Sequence, residues 1–120
     1  MEKAKKSVKA FFCPSPLGMV AHCKTVVDGP RGVRGLAYIL EAYSARLHHH
    51  PVAERYTILA GTARLRVGEL ELLVGRGFSI WIPPGVAHNL KPVTESVLME
   101  YLFPRGPLEG IPYTWLPSRL

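Results

Sequence analysis

The clearest pattern along the chain is a period of two. Ala63-Arg64-Leu65-Arg66-Val67 alternates apolar and cationic residues, Gly68 breaks the run, and Glu69-Leu70-Glu71-Leu72 alternates again. Strand side chains alternate faces, so 62–74 predicts a hairpin with one wet face. Elsewhere glycine or proline interrupts the chain about every ten residues, the spacing of an all-β sandwich or barrel. The pieces between are β-branched or apolar. The strands expected are 19–27, 36–43, 45–50, 54–60, 62–67, 69–74, 78–82, 86–91 and 96–103. No stretch sustains a period of 3.6 beyond a short helical turn within 2–6. There are no internal repeats.

Two stretches stand apart from this pattern. Residues 28–35, Asp28-Gly29-Pro30-Arg31-Gly32-Val33-Arg34-Gly35, read as a glycine-rich basic loop. It lacks the spacing of a phosphate loop and leads into no helix. Residues 104–120 carry four prolines and are expected to be irregular. They also hold Tyr113, Trp115 and Leu116, for which a free tail has little use. The tail is therefore expected to pack on the barrel or on a partner subunit. A chain of 120 residues suits one core. We read 1–120 as a single domain with its barrel core at about 17–103.

Composition narrows the function classes. The net charge is +6 and the pI about 9.6. Lysines cluster only at Lys3, Lys5, Lys6 and Lys9, the arginines are scattered, and no nucleic-acid motif appears. Specific nucleic-acid binding is not expected. No apolar run approaches the ~20 residues of a membrane span, so no membrane partner is expected. The basic N-terminus lacks the apolar stretch of a signal peptide, which points to a cytoplasmic protein. Asn89 is the one amide side chain, Gln is absent, Arg outnumbers Lys by nine to six, and there are eleven prolines. Those biases suggest a thermophilic source. Cys13 and Cys23 form no CxxC pair, so two free thiols are the default reading. A disulfide is the alternative in a hyperthermophile.

The histidines carry the candidate chemistry. His48-His49-His50 ends one strand, so His48 and His50 share a face and His49 takes the other. Pro51 breaks the strand, and Glu54 opens the next and can return to the same face. His88 follows the rigid turn Pro83-Pro84-Gly85. His22 is isolated and is not expected to be a ligand. Imidazoles plus a carboxylate on a concave face suit a divalent transition ion. Taken alone, HxH followed by glutamate also arises as an ordinary surface feature.

The wider context decides between these readings. Residues 48–61 read HHHPVAERYTILAG, or H-x-H-x3-E-x6-G. Residues 77–88 read GFSIWIPPGVAH, or G-x5-P-x-G-x2-H. The two blocks, with fifteen residues between Gly61 and Gly77, resemble the two signature motifs of the cupin superfamily. The resemblance implies an all-β jelly-roll β-barrel, a cupin-like double-stranded β-helix. It implies one divalent transition metal ion (Fe, Mn, Ni or Zn) inside it on His48, His50, Glu54 and His88. Ala42 stands where the first motif usually opens with glycine, and Pro92 where the second often closes with asparagine. Neither position is a ligand.

Strand parity adds substrate-pocket candidates. Arg46 shares the face of His48 and His50, and Tyr56 and Ile58 share that of Glu54. Met99 and Tyr101 are expected to face inward, because a buried Glu100 would need a partner. Arg46 could pair with a substrate carboxylate or form a salt bridge at the rim.

Metal-binding cupins include dioxygenases, isomerases, decarboxylases and non-catalytic binders. The resemblance thus implies an enzyme acting on a small oxygen-bearing molecule, carboxylate or sugar-like, at open coordination sites. A metal-dependent dioxygenase or isomerase is the class in view, with Glu54 as candidate catalytic base. A non-catalytic sugar-binding module and a purely structural metal stay open beside it. Open sheet edges further lead us to expect a homodimer.

Overall fold

The computed structural model describes residues 21–40 and 47–116. The helical turn expected near the N-terminus, Cys13, Ala42 and Arg46 lie outside them. The described chain is built of ten strands in two five-stranded sheets. They are β1 (Ala21–Gly29), β2 (Gly32–Leu40), β3 (His48–His49), β4 (Glu54–Ala60), β5 (Ala63–Val67), β6 (Leu70–Val74), β7 (Ser79–Ile82), β8 (His88–Pro92), β9 (Ser96–Phe103) and β10 (Thr114–Trp115). One sheet runs β1-β2-β9-β4-β7 and the other β10-β3-β8-β5-β6, and every pairing is antiparallel. The all-β jelly-roll architecture expected from the sequence is the one present. Among the described residues no helix is long and apolar enough to cross a membrane.

Alternation sets which side chains meet between the sheets. Along β9, Val97, Met99, Tyr101 and Phe103 are buried while their neighbours are less so. Glu54, Tyr56 and Ile58 do the same on β4. Register then aligns the buried rows. Tyr101 stands opposite Gly35 on one side and Tyr56 on the other, and Met99 stands between Ala37 and Ile58. Ala37, Ile58, Ala63, Leu65, Ile82, Leu90 and Val97 are almost fully enclosed. Burying a large aliphatic side chain in such a core contributes roughly 1.5–3 kcal/mol.

The glycine-rich stretch 28–35 is not a loop. It is the tip and start of the β1–β2 hairpin, with Gly29 paired to Gly32 and Asp28 to Val33. Gly35 serves packing. A Cβ on Gly35 would stand 2.5 Å from the Tyr101 hydroxyl and 2.8 Å from the Lys24 carbonyl oxygen. Only glycine leaves room there for the Tyr101 ring, a close approach that sequence alone does not reveal. Glu100, on the outer face, is held by Arg34 at 3.2 Å and Arg55 at 3.4 Å.

The segment after β9 returns to the barrel. The backbone N–H of Leu108, at the start of a 3-10 turn, donates to Asp28 Oδ1 at 2.9 Å. Ile111 is buried, and β10 then pairs with β3, Thr114 opposite His49 and Trp115 opposite His48.

Candidate metal centre

Four polar side chains lie buried among these apolar ones. His48, His50 and His88 are at most 1% exposed and Glu54 is 5% exposed. Each arrives by a local device. His48 sits on β3, paired with His88 on β8. His50 follows at the end of that run, and Glu54 is the first residue of β4. The Pro83-Pro84-Gly85 turn positions His88. Gly85 adopts a φ of 78°, which favours glycine, and its N–H donates to the His50 carbonyl oxygen at 2.8 Å. The turn before one ligand candidate is thus bonded to the backbone of another.

The imidazoles form one cluster. A ring nitrogen from each of His48, His50 and His88 lies within 4.8 Å of the other two, so the triad can hold a metal ion. Glu54 Oε1 lies 3.0 Å from His50 Nε2 and 3.3 Å from His88 Nε2. Both rings are fixed from behind. The Nδ1–H of His50 donates to the Val52 carbonyl and that of His88 to the Val86 carbonyl, each at 2.8 Å. This leaves Nε2 of both rings turned toward the carboxylate.

That arrangement is a test of fit. A neutral imidazole with its proton on Nδ1 presents a lone pair at Nε2. A lone pair facing a carboxylate oxygen in a dry interior is repulsive unless a proton or a cation lies between them. His88 Nε2 is fully enclosed and lacks a hydrogen bond, the 3.3 Å contact having ion-pair distance without hydrogen-bond geometry. A divalent cation would satisfy all these atoms together, with the carbonyl partners fixing the tautomers behind it. Burial pushes the Glu54 carboxyl up, but His50 and His88 attract its anion strongly enough to hold it below its ordinary value. The oxygen is therefore ionised, as ligation requires.

Aromatic rings enclose the cluster. Phe103 meets His50 edge-on at 5.2 Å between centroids, and Tyr56 meets His88 at 5.7 Å. Tyr113 lies 5.4 Å from His48 and 4.9 Å from His50, and Trp115 lies 5.0 Å from His48. Burial pushes the Tyr56, Tyr101 and Tyr113 phenols up, and the nearby Glu54 charge pushes each further. All three phenols therefore stay protonated.

Of the pocket candidates, Tyr56 adjoins the histidine cluster. Tyr101 is buried beside Phe103, its hydroxyl 3.3 Å from Thr25 Oγ1. Ile58 and Met99 are buried deeper in the apolar cluster. His49 lies on the other face of β3 and is only partly buried. Tyr113, Trp115 and Phe103 were not among the expected site residues. The aromatic content of a proline-rich tail was the available signal for the first two, and the inward parity of β9 for the third.

Comparison with known proteins agrees with the fold. The model of the Cupin domain matches residues 38–103, more than half of the chain. The chain belongs to the cupin family. Mannose-1-phosphate guanylyltransferase RfbM of Salmonella typhimurium is 41% identical over 51 residues, 42% of this chain and 10% of that protein. The xanthan biosynthesis protein XanB of Xanthomonas campestris is 44% identical over 48 residues, 40% of this chain and 10% of that one. The chain thus spans about a tenth of the curated relatives it matches. A Klebsiella pneumoniae protein with a double-stranded β-helix domain superposes with a TM-score of 0.71 at 16% identity. That match covers 92% of this chain and 95% of the other. Oxalate decarboxylase of Bacillus subtilis gives a TM-score of 0.72 at 18% identity, over 80% of this chain and 28% of that one. At such identities the likeness concerns fold alone.

Proposed function

We propose that this chain holds one divalent transition metal ion (Fe, Mn, Ni or Zn) on His48, His50, Glu54 and His88. There it acts, as an enzyme, on a small oxygen-bearing molecule, a carboxylate or a sugar-like compound. The observation that carries the reading is the buried His88 Nε2, unpartnered and facing a carboxylate that already meets His50 Nε2. The ion would polarise an oxygen of the bound molecule as a Lewis acid. The protein's own part is to fix the imidazole tautomers, exclude water with Phe103 and Tyr113, and offer protonated phenols to the ligand. Glu54 is the candidate base, since its carboxylate stays ionised.

Elemental analysis of protein purified without added metal tests the central claim, with His50→Ala and His88→Ala as controls. Near-stoichiometric metal in the wild type alone supports it. A wild type that takes up no metal under any loading condition defeats it. Turnover of a carboxylate and sugar panel by the loaded protein, lost in His88→Ala, tests the catalytic part.

A second reading is a non-catalytic sugar-binding module. It is favoured by the matches to mannose-1-phosphate guanylyltransferases over roughly two fifths of the chain. Calorimetric binding of mannose 1-phosphate without turnover would support it over the first. We further propose a homodimer, since β1 and β6 are edge strands with exposed Val26, Val27, Leu70 and Leu73. A scattering mass equal to one chain at micromolar concentration would exclude it.

A further inference from the structure

The imidazoles of the metal centre are sealed, so a small molecule needs a way in. Their covers differ in how firmly they are held. Tyr56 and Phe103 stand on β4 and β9, each hydrogen-bonded to a strand on both sides within the first sheet. Neither can leave without breaking that sheet. Tyr113 and Trp115 stand on the strap 111–116, whose strand β10 lies at the edge of the second sheet. β10 pairs with β3 at two positions, and beyond it the Leu116 N–H donates to the Leu47 carbonyl at 2.9 Å. Among the described residues the strap is the cover that can lift at the cost of only its edge pairing with β3, leaving the first sheet and β3-β8-β5-β6 in place. Ile111, buried at its base, and the Leu108–Asp28 bond would hold the near end in place.

Tyr113 has the chemistry of a ligand-facing residue. Its ring lies over His48 and His50 and stacks on Trp115 at 5.8 Å and 21°. An ordinary phenol carries its proton near neutral pH, so the Tyr113 hydroxyl can donate to an oxygen acceptor.

We propose that the strap 111–116 lifts to admit ligands to the metal centre, and that on closing Tyr113 donates a hydrogen bond to an oxygen of the bound molecule. This rests on the metal-binding reading above and makes Tyr113 a selector of acceptor ligands such as carboxylates.

The test uses the full chain, as wild type and as Tyr113→Phe, Tyr113→Ala and Trp115→Ala, with Co2+ as the metal and acetate as the ligand probe. Acetate affinity is read from the cobalt absorption bands, and Co2+ release from its extraction by excess EDTA. Modification of His48, His50 and His88 by diethyl pyrocarbonate in metal-free protein, mapped by mass spectrometry, reads strap opening without any metal. Tyr113→Ala and Trp115→Ala should speed release and modification about ten-fold or more. Tyr113→Phe should leave both slow but weaken acetate about five-fold, the weight of one neutral hydrogen bond. Imidazole, a nitrogen-donor probe, should bind equally to wild type and Tyr113→Phe. Unchanged release and modification in the alanine variants would overturn the gate, and unchanged acetate affinity in Tyr113→Phe would overturn the donor role. A wild type that takes no Co2+ defeats the metal reading and the donor role with it, while histidine modification still decides the gate. If an alanine variant unfolds by circular dichroism, the strap is a structural element and the gate is overturned.

Discussion

The two ends of the barrel interior are made by the same strands and do opposite things. Along β4 the inward positions run Glu54, Tyr56, Ile58, and along β8 they begin with His88 and continue to Leu90. Along β9, in reverse, they run Phe103, Tyr101, Met99, Val97. One end thus collects imidazoles and a carboxylate, the middle collects phenols, and the other end is aliphatic. The aliphatic end can close on itself, since apolar atoms need only dense packing. The polar end does not, because the buried His88 Nε2 there has no hydrogen-bond partner. Apolar packing and the proposed binding groups are thus separated along single strands, two residues at a time.

That separation can be broken from either side. The largest effect is expected for His88→Ala, which should cut affinity for Co2+ or Zn2+ by at least about 100-fold, since it removes one of the proposed buried ligands. Calorimetric titration would check it, and retained affinity would move the site elsewhere. Next, Leu65→Ala or Ile58→Ala at the aliphatic end should cost about 2–5 kcal/mol in urea unfolding. Metal stoichiometry should not change. A loss of metal with either substitution would show that the two ends are one cooperative unit.

Smaller effects sharpen the same contrast. Gly35→Ala forces a methyl against the Tyr101 hydroxyl and should destabilise by about 1–3 kcal/mol. Stripping the metal with a chelator should lower the melting temperature without unfolding the chain. A ligand at 100 times its dissociation constant contributes about 2.7 kcal/mol. Complete melting on chelation would instead mark the ion as a structural fastener. The smallest change is expected for Arg34→Ala, which loses a half-exposed ion pair with Glu100 and should cost under about 1 kcal/mol.

The strands were legible because a half-buried strand writes its two faces as a period of two. Ala63–Val67 and Leu70–Val74 stand where alternation predicts strands, and Ser96–Phe103 where an apolar run between breaks does. The expected strands 36–43 and 45–50 are described only as far as Leu40 and as His48–His49. Residues 28–35 misled because glycine signals a loop locally, whereas Gly35 answers to a ring that the chain supplies sixty-six residues later. Tyr113 and Trp115 were legible as residues needing a surface, but not as the cover of the histidines.

The all-β class, the cupin motifs and the shared face of His48 and His50 can be read from the residues alone. These are short-range properties, carried by alternation and by spacing within the two motif blocks. It takes the folded chain to put His88 opposite His48, to bond Nδ1 of two rings to Val52 and Val86, and to lay the strap 111–116 over the triad. Those facts depend on strand register and on contacts between distant segments, which no local pattern encodes. The feature on which the metal proposal rests, the buried His88 Nε2 facing the Glu54 carboxylate without a hydrogen bond, exists only once the two sheets have closed.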